Sequence, residues 1–285
     1  TMAETTGAPQ PQGANWRDLG IRTLSSAVLI PAVLVDVWLG DAWFHLLVAL
    51  LGVMMAHEWT NIVHERSSSQ FALHAAAALC GAFLPLSHGW HTALAVIAVI
   101  WVLSLLLALA QHRRLGLWVV SGVAYIGLAA MALVILRGEN EAGMLAMMWL
   151  FAVVWAADIC AYFAGRVIGG AKLAPRISPK KTWAGLWGAV AGGTAAGAGV
   201  AFGAGLADFI LLGLLGGVLA IVEQMGDLFE SALKRHYGVK DSGRLIPGHG
   251  GVLDRVDGLV AASLVLAAVV ITTGYLGAGN ELFGR

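Results

Sequence analysis

Apolar residues run along this chain in long blocks broken by short polar joints. A block of about 20 apolar residues is what an α-helix needs to cross a hydrocarbon core of about 30 Å. The pattern predicts nine such spans, at about residues 23–39, 42–63, 71–87, 92–111, 116–136, 144–166, 184–204, 207–233 and 258–278. In lipid a helix satisfies every backbone group internally, so the expected fold is all-α, a polytopic membrane bundle of about nine transmembrane helices. Three regions follow: a disordered cytoplasmic tail over 1–20, a first set of transmembrane helices over 21–142, and a second transmembrane region over 143–285. The second region carries the two longest polar joints, 167–183 and 234–257, and chemistry is expected there.

Composition agrees with the pattern. Hydrophobic residues make up 59% of the 285 and charged residues only 12%, against about 25% charged in a soluble average. With the N-terminus placed in the cytoplasm, all but Arg137 and Arg285 of the 17 Lys and Arg fall on the cytoplasmic side, which agrees with the positive-inside rule and supports an odd number of spans. Trp16, Trp38, Trp90 and Trp183 fall near span ends, where amphipathic rings favour the headgroup layer. The first 15 residues are polar and lack the basic start and short apolar core of a cleaved signal peptide, so the first span is expected to stay in the mature protein. Cys80 and Cys160 lie in apolar runs and suggest neither a disulfide framework nor a thiolate metal site. A formal net charge of zero argues against a nucleic-acid partner while leaving room for a local phosphate site.

The eighth span ends in a polar face. On a 3.6-residue period Glu223, Asp227, Glu230, Ser231 and Lys234 align. Ionisable groups at membrane depth are costly and normally face a protein interior or a wet cavity. A helix end emerging into water explains Lys234 and Arg235 but not Asp227, which lies deeper. Lys234, Arg235, Lys240, Arg244 and Arg255 then alternate with Asp241, Asp254 and Asp257, and His236 and His249 add donors. Cations together with carboxylates suit a metal-bound polyphosphate. The run Gly248-His249-Gly250-Gly251 either brings backbone N–H groups to an anion or is a plain turn. Asp254 and Asp257 are neighbours on a helix face if the ninth helix starts near Leu253; they either share a cation or pair with Arg255.

The earlier polar joint holds Ser178-Pro179-Lys180-Lys181-Thr182. Adjacent lysines flanked by hydroxyls suit phosphate, and equally suit anionic headgroups or topology; the Walker frame is absent. Asp158, in the sixth span, lies about two turns from this loop and is a candidate site residue. The Gly/Ala-rich seventh span, with Gly188 and Gly192 and with Gly193 and Gly197 four apart, is expected to pack closely on its neighbours. His57-Glu58 opens like a zinc-protease motif, but Asn61 stands where the second His belongs, and a helix-end hydrogen bond is expected instead. Asp36 is expected to snorkel at the outer end of the first span.

The 27 residues Ser231 to Asp257, SALKRHYGVKDSGRLIPGHGGVLDRVD, resemble without a gap the signature of the phosphatidate cytidylyltransferases, also called CDP-diacylglycerol synthases. DICAYFAGR around Asp158 and LAPRISPKKTWAG around Lys181 are similar to the same family; Cys160 departs from it, standing where a small residue such as Gly is expected. The resemblance implies transfer of CMP from CTP to phosphatidic acid with Mg²⁺, and a second cation is allowed. It implies catalytic roles for Asp227, Asp254, Lys234 and Arg235, and metal ligation by Asp227, Asp254 and Asp257. Substrate contacts are implied for Asp158, Ser178, Lys180, Lys181, Thr182, Ser231, Lys240, Asp241, His249, Gly250, Gly251 and Arg255. The basic asymmetry puts both polar joints, and so the site, on the cytoplasmic face of what is expected to be a bacterial-type inner membrane, and the resemblance suggests a homodimer. Two rival classes are a CTP-dependent lipid kinase, which releases CDP, and a transporter with an anion site. A CDP-alcohol phosphotransferase is disfavoured because the chain has no DGxxAR sequence.

Overall fold

A computed structural model describes residues 16–111, 113–243, 245, 250–273 and 283, with the side chains of 16–26 outside the description. Among the described residues the chain is a helical bundle: α1 Trp16–Leu39, α2 Asp41–Val63, α3 Ser68–His88, α4 Trp90–Ala110, α5 Leu117–Arg137, α6 Glu141–Val167, α7 Trp183–Gly203, α8 Phe209–His236 and α9 Leu253–Thr272. Helices α2 to α9 are each long and apolar enough to cross a membrane, and the apolar stretch Ala27–Leu39 of α1 is shorter. Between α6 and α7 the polar joint forms an antiparallel hairpin, β1 Lys172–Ala174 with β2 Ser178–Thr182, in register Lys172 to Thr182 and Ala174 to Ser178. Among the described residues this hairpin is the one element that hydropathy gave no sign of.

Bundle packing follows from residue size. The core centres on α6, where Met147, Trp149 and Leu150 are fully buried, and the Trp149 indole N–H donates to Gly197 O at 2.8 Å. Helix α7 lies between α6 and α8. A Cβ on Gly192 would stand 2.7 Å from Ala156 O and from the Cys160 side chain, and one on Gly193 would stand 2.8 Å from Gly216 O. Small residues let backbones approach where lipid supplies no hydrophobic drive. The Cys160 departure is therefore absorbed by Gly192 opposite.

Turns at the two ends are fixed by specific polar contacts. At one end Arg137, one of the two basic residues left over from the charge asymmetry, is buried; its Nε donates to Val37 O at 2.6 Å and its Nη1 to Gly138 O at 3.1 Å. Gly40, at φ +63°, is where that guanidinium lies, so a side chain there meets both strain and a clash. Asp36 does not simply snorkel: its Oδ2 is buried. At the opposite end Ser67 and Thr182 cap α3 and α7 with side-chain oxygens. That end also gathers the hairpin, the α8–α9 connection and the α2–α3 turn.

Candidate active site

The polar face of α8 meets the first turn of α9 because glycines remove the side chains between them. A Cβ on Gly226 would lie 2.7 Å from Asp257 O, and one on Gly258 would lie 2.7 Å from Glu223 Cγ. Helix α9 starts at Leu253, so Asp254 and Asp257 sit in its first turns as the spacing predicted. Lys234 Nζ is shared between Glu230 Oε2 at 2.5 Å and Asp254 Oδ1 at 2.7 Å. Asp254 Oδ2 accepts the backbone N–H groups of Ser242 and Gly251, both at 2.9 Å. The Gly251 amide, a candidate donor to substrate, thus serves Asp254 here. Gly250 has φ +85°, and a Cβ added to it would stand only 3.0 Å from Asp254 Oδ2, so the turn accepts little besides glycine.

A cavity of about 320 Å³ opens at this junction, lined by Asp158, Glu223, Asp227, Asp241, Asp254 and Asp257, with Lys234 and Arg255 as its cations. Asp227 and Asp254, carried by different helices, do converge on one space. The second wall comes from the hairpin. Lys181 Nζ reaches Asp227 Oδ2 at 2.7 Å and Gln224 Oε1 at 2.7 Å, and Gln224 Nε2 donates to Glu223 Oε2 at 2.8 Å. Ser231 Oγ donates to the other oxygen of Asp227 at 3.2 Å. A further cavity of about 590 Å³ lies between α6, β2, α7 and α8, lined by Tyr162, Arg166, Lys180, Lys181 and Thr182 together with Asp158 and Asp227. Arg166 Nη1 donates to the Tyr162 hydroxyl at 2.7 Å.

The remaining predicted residues are placed as follows. Thr182 Oγ1 accepts the Gly185 N–H at 3.0 Å and is buried, so its hydroxyl caps α7 while it borders the cavity. Ser178 opens β2, and Lys180 and Lys240 are exposed. Arg235 donates to Ile177 O and Val239 O, tying α8 to the hairpin. His249, with Gly248 and Arg244, lies outside the described residues. Three participants were not singled out in advance as site residues. Glu223 is visible in the sequence only as part of a polar helix face, and Gln224 only as its polar neighbour deep in the same span. Glu58, set aside with His57, accepts Ser242 Oγ–H at 3.0 Å and the N–H groups of Val252 and Leu253 at 2.9 Å. His57 itself is in hydrogen-bonding reach of Asn61 at 3.2 Å.

The donor chemistry suits a hard cation, which takes oxygen ligands. Among the described residues no three His, Cys, Asp or Glu side chains close into a cage, but Mg²⁺ characteristically binds through one or two carboxylates plus substrate phosphates. Asp227 and Asp254 are the carboxylates that could hold such a cation, and in this structure lysine ammonium groups face both of them.

Comparison with known proteins places the chain in a family. The model of the cytidylyltransferase family matches residues 20–273. A phosphatidate cytidylyltransferase of Brucella suis biovar 1 is 42% identical over 251 residues, covering 87% of this chain and 92% of that protein. One from Pseudomonas aeruginosa is 36% identical over 269 residues, covering 89% and 97%. One from Rickettsia bellii is 30% identical over 259 residues, covering 87% and 89%. A match across nearly all the spans, and across both polar joints that build the cavities, means that the chain belongs to the cytidylyltransferase family.

Proposed function

We propose that this protein transfers the cytidylyl group of CTP to phosphatidic acid, giving CDP-diacylglycerol and pyrophosphate. The observation that carries the reading is a pair of adjoining cavities with a shared wall: Asp158 and Asp227 line both. The carboxylate-lined cavity suits a cation-bound triphosphate. The larger one has Arg166, Lys180 and Lys181 for a phosphate, and beside it the exposed apolar side chains Ile159, Phe163 and Trp187 suit an acyl-bearing ligand at the bilayer. At the shared wall a lipid phosphate oxygen can meet the α-phosphorus of CTP. That P–O bond forms as the bond to the β-phosphate oxygen breaks, and pyrophosphate leaves.

Phosphoryl-type transfer of this kind needs positioning and charge stabilisation more than a strong base. Mg²⁺, held by Asp227 and Asp254 with Asp257 nearby, would neutralise phosphate charge. Lys234 and Arg255 line the triphosphate cavity, and Arg235 ties the hairpin to α8 so that Lys181 stays in place. Lys181 holds Asp227 in the structure and is free to turn to a phosphate oxygen once a cation takes its place. In this reading Asp241, which lines the triphosphate cavity, and Lys240, His249 and Gly250 serve the nucleotide, and Ser178 serves the phosphate from the hairpin. A bacterial inner membrane, a site facing the cytoplasm and a homodimer complete it; the basic asymmetry supports the orientation.

The test is product analysis with purified protein in mixed micelles containing CTP, phosphatidic acid and Mg²⁺. Pyrophosphate and a cytidine-labelled lipid are expected. Release of CDP with phosphorylation of a polyprenol would replace this reading with a lipid kinase, and the absence of any turnover would remove it.

A further inference from the structure

Glu58 is a buried carboxylate, 1% exposed, contributed by α2 to a loop that lies some 184 to 195 residues further along the chain. Among the described residues it makes no ion pair within 4 Å. Its charge faces the start of α9 instead, where the Val252 and Leu253 N–H groups point at its two oxygens. The first N–H groups of a helix have no partner within the helix and carry its positive end. Glu58 therefore caps α9 from another helix.

The contacts around it interlock with those of Asp254. Ser242 gives its hydroxyl to Glu58 and its N–H to Asp254; Gly251 gives its N–H to Asp254, and the next two N–H groups go to Glu58. Two carboxylates thus divide one set of donors, and Asp254 is left with Oδ1 directed at Lys234. Space enforces the arrangement. A Cβ on Gly251 would lie 2.6 Å from both Glu58 oxygens, and one on Gly243 would lie 2.5 Å from Oε1. Those signature glycines make room for Glu58 as well as for a turn. Next to Glu58, Trp59 stacks on Tyr125 and Phe229 with ring centroids 5.6 Å and 6.4 Å apart, fixing α2 against α5 and α8.

We propose that Glu58 is a positioning residue of the site, an external cap on α9 that holds Asp254 oriented toward the carboxylate-lined cavity. This rests on the reading of Asp254 given above. Without the Glu58 carboxylate two buried N–H groups lose their acceptor. The nearest replacement is Asp254 itself, which would then be drawn away from Lys234 and the cavity.

The experiment compares wild type, Glu58→Gln, Glu58→Asp and Ser242→Ala in detergent by two readouts. In hydrogen exchange followed by mass spectrometry, Glu58→Gln should exchange about tenfold faster in the peptide over 250–258, with α4 and α7 unchanged. In the pyrophosphate assay its kcat should fall about thirtyfold with KM for CTP within about threefold, the pattern of a lost supporting contact. Glu58→Asp, keeping the charge, should recover part of that loss, and Ser242→Ala, removing one of three bonds, should lose only a few-fold. Unchanged exchange in Glu58→Gln overturns the cap, and faster exchange with unchanged kcat overturns the positioning role. If Glu58→Gln does not fold, wild-type kcat in both milder variants overturns it. A wild-type protein that releases no pyrophosphate refutes the proposed reaction, while the exchange comparison still decides the cap.

Discussion

Replacing Asp227 or Asp254 by Asn should abolish turnover in both cases, yet the two variants should differ in stability, and the structure sets the size of the difference. Asp254 has a side chain 9% exposed, paired to Lys234 and accepting two backbone N–H groups. Asn can keep its carbonyl oxygen on those N–H groups only by turning its NH₂ toward the Lys234 ammonium. Losing one partner of a buried pair costs about 3–5 kcal/mol, and since Glu230 still holds Lys234, about 2–3 kcal/mol is expected here. Asp227 is 34% exposed and, among the described residues, pairs with the side chains of Lys181 and Ser231 rather than with backbone N–H groups. After solvent screening its replacement should cost no more than about 1 kcal/mol. Thermal melts in detergent should place Asp254→Asn about 4–10 °C below wild type and Asp227→Asn within about 3 °C. Pyrophosphate release should fall at least about 10³-fold in both, a loss of about 4 kcal/mol of transition-state stabilisation. Asp36→Asn, at the opposite end of the bundle, should keep most of the activity. About a tenth of wild-type turnover surviving in either site variant, or Asp227→Asn proving the less stable of the two, would refute these roles.

The two hairpin lysines should separate: exposed Lys180→Gln should raise KM about 3–10-fold with kcat intact, whereas Lys181→Gln, breaking a pair with Asp227, should cut kcat about 100-fold. Equal effects on steady-state kinetics would refute that division. Gly192→Ala should destabilise by about 1–3 kcal/mol through collision with Cys160 and Ala156 O. Adding Cys160→Gly should return part of that loss in a melt, and strict additivity of the two would show that the contact does not exist. For orientation, a Cys placed at Asn140 should react with a membrane-impermeant thiol reagent in intact cells and one at Lys180 should not; the reverse labelling would invert the topology.

Hydropathy and charge determined the all-α membrane class, the positions of α2 to α8 within three residues, and the two polar joints that build the site, because lipid permits so few backbone solutions; the hydropathy window placed the ninth span five residues late, at 258 where α9 starts at Leu253. The 3.6-residue period also placed Asp227, Ser231 and Lys234 on one face of α8, and the i, i+3 spacing placed Asp254 and Asp257 in the first turns of α9. The spacing of Gly188, Gly192, Gly193 and Gly197 foretold close packing, but which neighbour each pair meets was decided by the bundle. Hydropathy had no view of the β1–β2 hairpin, since its short polar strands are stabilised by cross-strand bonds and by Arg235 reaching over from α8. Nor could any local pattern show that Lys181 faces Asp227, 46 positions away, or that Glu58 caps a helix nearly 200 positions downstream. A sequence fixes the period of each helix and so the face on which a side chain lies. Which faces meet depends on where glycines let backbones close, and that is settled only when all the helices pack at once.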